Sequence, residues 1–278
     1  MSQGKITQLD TKWEPGFKVA LGGVFPHDNW DLSARYTYVN TTVNGSASDF
    51  VQAGQESFNV NVNNGRSVDL TSPVSAKGYF HARLNAMDLE LGRKFFNSRF
   101  LALKLFSGLK GTWISAKDRY SYGIDRNVSN SNLTIDGNDA TGPVVVKDDS
   151  FTWGIGPRLG LEANWYFIQS ISIFTRLSLG PIFSNVDAHS RVEFFNEGSP
   201  PLTAIDIKNS QDFITNLNEI QLGLEGEWWL YDKTYKITAR LLYEVQTWDG
   251  AYGTVNSTEI NEKYINMHGV TGSLGFLF

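Results

Sequence analysis

The chain has 278 residues, 41% hydrophobic and 19% charged, which is enough for one large domain. A net charge of -5 argues against a nucleic-acid partner, and the absence of cysteine excludes disulfides and thiolate metal sites. The sequence contains no run of about 18 apolar residues, so no membrane-spanning helix is predicted. The first ten residues lack the charged head and apolar core of a signal peptide, which leaves a cytosolic or a mature chain as the expectation.

Apolar and polar residues alternate with a period of two in nine segments, each of which predicts a β-strand. The segments cover about residues 16–25, 30–42, 77–93, 99–117, 151–167, 171–186, 214–230, 234–248 and 264–278. In the third segment the apolar positions change parity between Ala86 and Leu89, which predicts a β-bulge near Met87.

The predicted connections alternate between short and long. Tight turns follow the first, third, fifth and seventh strands. Long polar loops follow the even-numbered strands, at about 42–76, 118–149, 186–213 and 249–263. A meander with tight turns at one end and long loops at the other is typical of an outer-membrane barrel, with the turns in the periplasm and the loops outside the cell.

The apolar face of the predicted strands is interpreted as the outer, lipid-facing surface. Its aromatic residues lie at strand ends, where membrane proteins concentrate them. They are Phe25, Trp30, Trp165, Phe167, Trp228 and Tyr235. The sequence therefore predicts an all-β protein, an antiparallel up-and-down transmembrane β-barrel over residues 1–278. A soluble barrel with an apolar ligand is the remaining alternative.

The predicted number of strands is about ten, because an even number returns both termini to the tight-turn side. The tenth strand would be residues 4–13, which are weakly patterned. Twelve strands is the alternative if the stretches 57–70 and 131–146 form another pair within the barrel wall.

The charged residues on the polar face are predicted to line the lumen. They are Lys18, Arg35, Arg83, Lys104, Lys110, Arg158, Glu162, Arg176, Glu219, Glu225, Glu227, Lys236, Arg240 and Glu244. These residues would either line a water-filled pore or fill a packed lumen. The turn lengths place Glu225 opposite Arg240 and Glu162 opposite Arg176, as stabilising cross-strand pairs.

Several short runs resemble the Legionella-type pore-forming outer-membrane proteins and the related chlamydia-like major outer-membrane-protein-like family. The runs are WEPGFKV at 13–19, PHDNWDL at 26–32, YTY at 36–38, DLELGR at 88–93 and GLK at 108–110. The resemblance implies a porin in a Gram-negative outer membrane that lets small hydrophilic solutes and ions diffuse. The alternative is a non-conducting structural or adhesive barrel that acts through its long surface loops.

The expected partners follow from this membrane location. They are outer-membrane lipid and lipopolysaccharide, small hydrophilic solutes, and the barrel assembly machinery. The last of these would recognise the C-terminal strand with Leu274, Phe276 and Phe278. The four histidines show no metal-ligand spacing and no nucleophile motif is present, so no enzyme, catalytic residue, metal or cofactor is predicted.

Overall fold

The computed structural model describes residues 13–25, 30–48, 57–62, 66–71, 73–124, 133–135, 138–140, 143–168, 170–194, 201–230, 235–256 and 259–277. Nine of its strands form one antiparallel sheet in which each strand pairs with the next along the wall. The all-β, up-and-down architecture predicted from the sequence is therefore confirmed. The described residues contain no helix that is long and apolar enough to span a membrane.

The nine strands of the wall are long. They are β1 (Gly16–Val24), β2 (Trp30–Ser48), β5 (Pro73–Asn97), β6 (Leu101–Ile124), β9 (Val144–Ile168), β10 (Ile171–Phe194), β11 (Leu202–Leu230), β12 (Tyr235–Asn256) and β13 (Glu259–Leu277). Four short strands lie outside the wall: β3 (Ser57–Val62), β4 (Arg66–Thr71), β7 (Leu133–Ile135) and β8 (Asn138–Ala140).

The wall curls so that strands distant in the sheet order meet inside it. The Lys18 Nζ on β1 lies 2.5 Å from a carboxylate oxygen of Glu244 on β12. The rings of Phe80 on β5 and Tyr252 on β12 lie 5.8 Å apart. This curvature is compatible with a β-barrel, and the described parts of β1 and β13, the two edges of the sheet, are not hydrogen-bonded to each other.

The strand number differs from the ten predicted, since the described wall has nine strands. The proposed extra strand at 4–13 lies, except for Trp13, outside the described residues. The twelve-strand alternative is wrong, because β3 pairs with β4 and β7 with β8 in separate two-stranded sheets. At six and three residues, these strands are shorter than the 9 to 11 residues needed to cross a bilayer.

Two of the predicted long loops are mostly strand. The ladder between β10 and β11 continues to Phe194 and Leu202, and β12 and β13 are separated only by residues 257–258. On β10 the alternation continues beyond the lipid with the faces exchanged, because Val186, Ala188 and Val192 are buried inside while the odd-numbered polar residues between them lie on the outer face. Periodicity therefore underestimates the strands at this end of the barrel.

The two ends of the barrel, which we call the turn end and the loop end, differ in their connections. The turn end carries the connections between β1 and β2, β5 and β6, β9 and β10, and β11 and β12. The loop end carries the other connections, together with the β3–β4 and β7–β8 hairpins.

The apolar face points outward, as predicted. The exposed large side chains include Trp153, Leu159, Leu222 and Leu241, together with the six aromatic residues assigned to strand ends. No β-bulge occurs near Met87, because the β2–β5 register runs without a shift from Trp30 to Ser48. Instead, the inner face of β5 itself changes from apolar to acidic.

Candidate functional site: the barrel lumen

The predicted lumen residues share the buried inner face, with one exception. Arg83 is exposed on the opposite face of β5, between the buried Ala82 and Leu84. Its predicted lumen position is wrong, because the predicted bulge would have reversed the two faces of this part of β5. The two predicted cross-strand pairs are confirmed: Glu225 is opposite Arg240, and Glu162 is opposite Arg176.

Arg158 on β9 is the centre of a buried cluster of ionic groups. Its Nη1 donates hydrogen bonds of 2.8 Å to both Asp88 and Glu90 on β5. Its Nη2 donates to Glu219 on β11 and, at 2.7 Å, to the Ser178 hydroxyl on β10. Only 2% of Arg158 is exposed, so this guanidinium joins strands on different sides of the lumen without contacting bulk water.

The partners of Arg158 are held by further charges. Lys110 lies 2.9 Å from Asp88, and Arg176 lies 2.5 Å from Glu90 and 3.1 Å from Glu162. Arg35 lies 3.7 Å from Glu90. We call these eight residues the Arg158 network: four acids, Asp88, Glu90, Glu162 and Glu219, and four bases, Arg35, Lys110, Arg158 and Arg176. Its signs balance, as buried charges require.

An aromatic ring lies against the network. The Phe106 ring lies 3.9 Å from the Arg176 guanidinium carbon and 5.7 Å from that of Arg158. This position depends on Gly160 of the neighbouring strand, since a Cβ there would collide with the ring. Phe106 thus contributes cation–π contacts to both guanidinium groups.

At the turn end the charges are closer to water. Lys104 lies 2.7 Å from Asp31, while Arg240 pairs with Glu225 and Lys236 with Glu227. A cavity of about 160 Å³ opens among these side chains and reaches Glu162 of the Arg158 network. The turn end is therefore a small polar vestibule above which the lumen is filled.

On the loop-end side of the Arg158 network, the lumen is filled by apolar side chains. We call this group the Trp248 layer. Its members are Leu84, Ala86, Ile114, Ile182, Leu217, Trp248, Ala251 and Ile265, and each is at most 9% exposed. Lys110 Nζ lies 5.5 Å from the centre of the Trp248 ring, so the layer and the network are in contact.

Beyond the Trp248 layer the inner face again carries ionisable groups, beside a second apolar cluster of Val186, Ala188, Val255 and Ile260. Lys263 Nζ lies 3.4 Å from Asp118, and the Ser190 hydroxyl donates to Asp148. Ionisable groups therefore occur on both sides of the Trp248 layer. In the described conformation, an ion entering from either end would have to displace side chains to pass.

Sequence reasoning missed two parts of this site. Asp88 and Glu90 were not assigned to the lumen, although they alternate with the exposed Leu89 and Leu91. The Trp248 layer was also missed. Its signal was the change of parity in β5, which marks the border between apolar and acidic inner residues. Interpreted as a change of the inner face from apolar to acidic residues, this change of parity predicts both the two acids and the Trp248 layer.

The described histidines His81, His189 and His268 lie on three different strands of the wall. His189 Nε2 lies 2.6 Å from Asp206, and His268 Nδ1 lies 2.8 Å from the Tyr243 hydroxyl. His81 stacks beside Tyr79, and His27 lies outside the described residues. The described residues include no group of three or more His, Asp or Glu side chains that could hold a metal ion.

A family model described as the Legionella pneumophila major outer membrane protein precursor matches residues 1–276. No curated protein and no solved structure matches the chain.

Proposed function

Because the chain belongs to the Legionella major outer membrane protein family, we propose that this outer-membrane protein is a narrow channel. It would let small ions and hydrophilic solutes diffuse passively, and its lumen is closed in the conformation described. The proposed function is still that of a porin, but with a narrow lumen that is closed at rest. An open lumen would leave Arg158 and its partners in contact with water.

One observation carries the proposal. Ionisable side chains follow the inner wall from Lys236 at the turn end, through the Arg158 network, to Asp118 and Lys263 near the loop end. A barrel that only needed filling would be as stable, or more stable, with apolar residues of similar volume. Charges of both signs along the path instead lower the cost of bringing an ion out of water.

The Trp248 layer is the closed gate of the proposed channel. Apolar constrictions block ions because water does not wet them. Trp248 is the largest side chain of the layer and is only 1% exposed. A small change in its rotamer, or in the separation of the strands around it, would connect the two polar sections of the lumen.

A structural or adhesive barrel is the second candidate, and the balance of charges favours it. Each acid of the Arg158 network already contacts a base within 4.0 Å, so no member needs a passing ion as partner. In that case the lumen would only brace the wall, and the function would lie at the loop end.

Single-channel recording separates the two candidates. The purified protein and its Trp248→Ala variant would be inserted into planar bilayers, with Trp113→Ala as the matched control. Trp113 belongs to the same wall but is 43% exposed on the outward face. Heat-modified mobility on gels would establish that each variant has assembled.

We expect rare, small conductance steps from the parent and from Trp113→Ala, and frequent, larger steps from Trp248→Ala. The reversal potential in a salt gradient would then report the sign of the charge that dominates the narrowest section. If assembled Trp248→Ala is as silent as an empty bilayer, the channel proposal is wrong and the structural barrel is supported.

A further inference from the structure

The outward face carries a basic pocket at the loop end. It has a volume of about 900 Å³, and its lining includes Lys77 on β5, Arg119 on β6 and Lys147 on β9. Tyr79 and Ser121 lie between these bases and supply hydroxyl groups. No acidic residue belongs to the described lining, which therefore combines three bases with hydrogen-bonding hydroxyl groups.

The strand register brings these residues together. Tyr79 is opposite Arg119, which is in turn opposite Lys147, and Lys77 is opposite Ser121. All of them have odd numbers on β5, β6 and β9, the parity of the exposed apolar residues Met87, Trp113 and Phe151. The pocket therefore belongs to the outer surface of the wall and has no part in the lumen.

Two other bases on this surface, Arg191 and His189 on β10, are already paired with an acid. Arg191 lies 3.0 Å from Asp206, which also contacts His189. The hydrogen bond from His189, together with the charge of Arg191, lowers the pKa of Asp206 below its ordinary value. Lys147 Nζ lies 2.7 Å from a carboxylate oxygen of Glu193. Within the described chain, Lys77 and Arg119 have no acidic partner within 4.0 Å, which leaves them available to an external anion.

The height of the pocket points to the headgroups of the outer leaflet. Trp113 and Phe151 mark the loop-end limit of the apolar surface, where aromatic residues meet the membrane interface. Arg119 and Lys147 lie roughly 13 to 20 Å beyond them along their strands, at about 3.3 Å per residue. Because the strands tilt, the distance along the membrane normal is shorter.

We propose that this basic pocket binds a phosphate group of an outer-leaflet glycolipid. Lys and Arg form charge-assisted hydrogen bonds with phosphate oxygens, and the tyrosine and serine hydroxyls complete a polar shell. The glycolipid's acyl chains would then lie along the apolar surface below. The inference depends on the outer-membrane location and is independent of whether the lumen conducts.

The test compares binding of diphosphoryl lipid A to the detergent-purified protein by native mass spectrometry. The pocket variant is Lys77→Gln/Arg119→Gln, which leaves Lys147 with its partner Glu193. The control Arg99→Gln/Lys208→Gln removes the same charge from one exposed site at the turn end and another on β11. Each protein is also titrated with dephosphorylated lipid A and with millimolar inorganic phosphate.

We expect the pocket variant to bind diphosphoryl lipid A about tenfold more weakly than the parent, and the control to bind it like the parent. Dephosphorylated lipid A should bind the parent as weakly as diphosphoryl lipid A binds the pocket variant. Equal binding by the parent and the assembled pocket variant would overturn the inference. Displacement of lipid A by millimolar phosphate would overturn the glycolipid assignment, because it would show a site for free anions.

Discussion

The Arg158 network and the Trp248 layer fill neighbouring sections of one lumen with opposite chemistry. The network holds four acids and four bases at ion-pair distances of at most 4.0 Å, whereas the layer holds only apolar side chains in close contact. Each charge in the network needs its partner, because an unpaired buried ion is costly. The layer needs only volume. One inner face can therefore be sensitive to chemistry at one height and to size at the next.

Removal of the central cation should have the largest effect. In Arg158→Met, Glu219 would lose the base that contacts it while remaining buried at 3% exposure. We expect the free energy of unfolding, measured by urea titration in lipid vesicles, to fall by about 3 to 5 kcal/mol. The double variant Arg158→Met/Glu219→Gln should recover part of this loss. A single variant as stable as the parent would show that the network is solvated.

A cavity in the Trp248 layer should cost slightly less. Ile182 is 1% exposed, and truncation in Ile182→Ala should lower the unfolding free energy by about 2 to 5 kcal/mol. The conservative Ile182→Val should cost only about 0.5 to 1.5 kcal/mol. A graded series is the signature of packing. If alanine and valine are both neutral in the same urea titration, the layer is not close-packed.

A charge on the lipid-facing surface tests the assignment of faces. Leu222 is 54% exposed on β11, and Leu222→Arg should cost about 2 to 4 kcal/mol near the bilayer midplane. The assay is heat-modified mobility on gels, in which Leu222→Met should be nearly neutral. If the arginine variant assembles and resists heat like the parent, the exposed apolar face does not contact lipid.

The smallest effect is expected at the periphery of the lumen. Lys18 pairs with Glu244 at 2.5 Å, but 22% of the lysine side chain is exposed. Partly exposed pairs contribute little, so Lys18→Met should change the unfolding free energy by less than about 1 kcal/mol. A loss comparable with that of Arg158→Met would mean that this pair belongs to the buried network.

The sequence predicted the fold where a strand separates lipid from lumen. Trp153 and Arg158 on β9 show this separation, since the first is exposed and the second buried as the alternation required. It failed at the loop end of β10 and β12, because the apolar residues there, such as Val186 and Val255, lie on the buried inner face and no longer on the lipid-facing one. It also failed at Arg83, where apolar residues inside the barrel were taken for apolar residues outside it.

The chemistry of the candidate site was only partly predictable. The turn lengths fixed the pairs Glu225–Arg240 and Glu162–Arg176, because these residues lie on adjacent strands. The contacts of Arg158 with Asp88 and Glu219 cross intervening strands and depend on how tightly the wall curls. Strand periodicity contains no information on curvature, so these contacts required coordinates.

The Arg158 network also favours the native register of the strands during assembly. If one strand slides by one residue, its apolar and polar faces exchange, and the error is costly at once. A slide by two residues preserves the faces, so alternation cannot detect it, yet every side chain moves by about 6.6 Å along the strand. Arg158 would then miss Asp88 or Glu219. A fully paired cluster of ions thus distinguishes the native alignment from its most similar competitors.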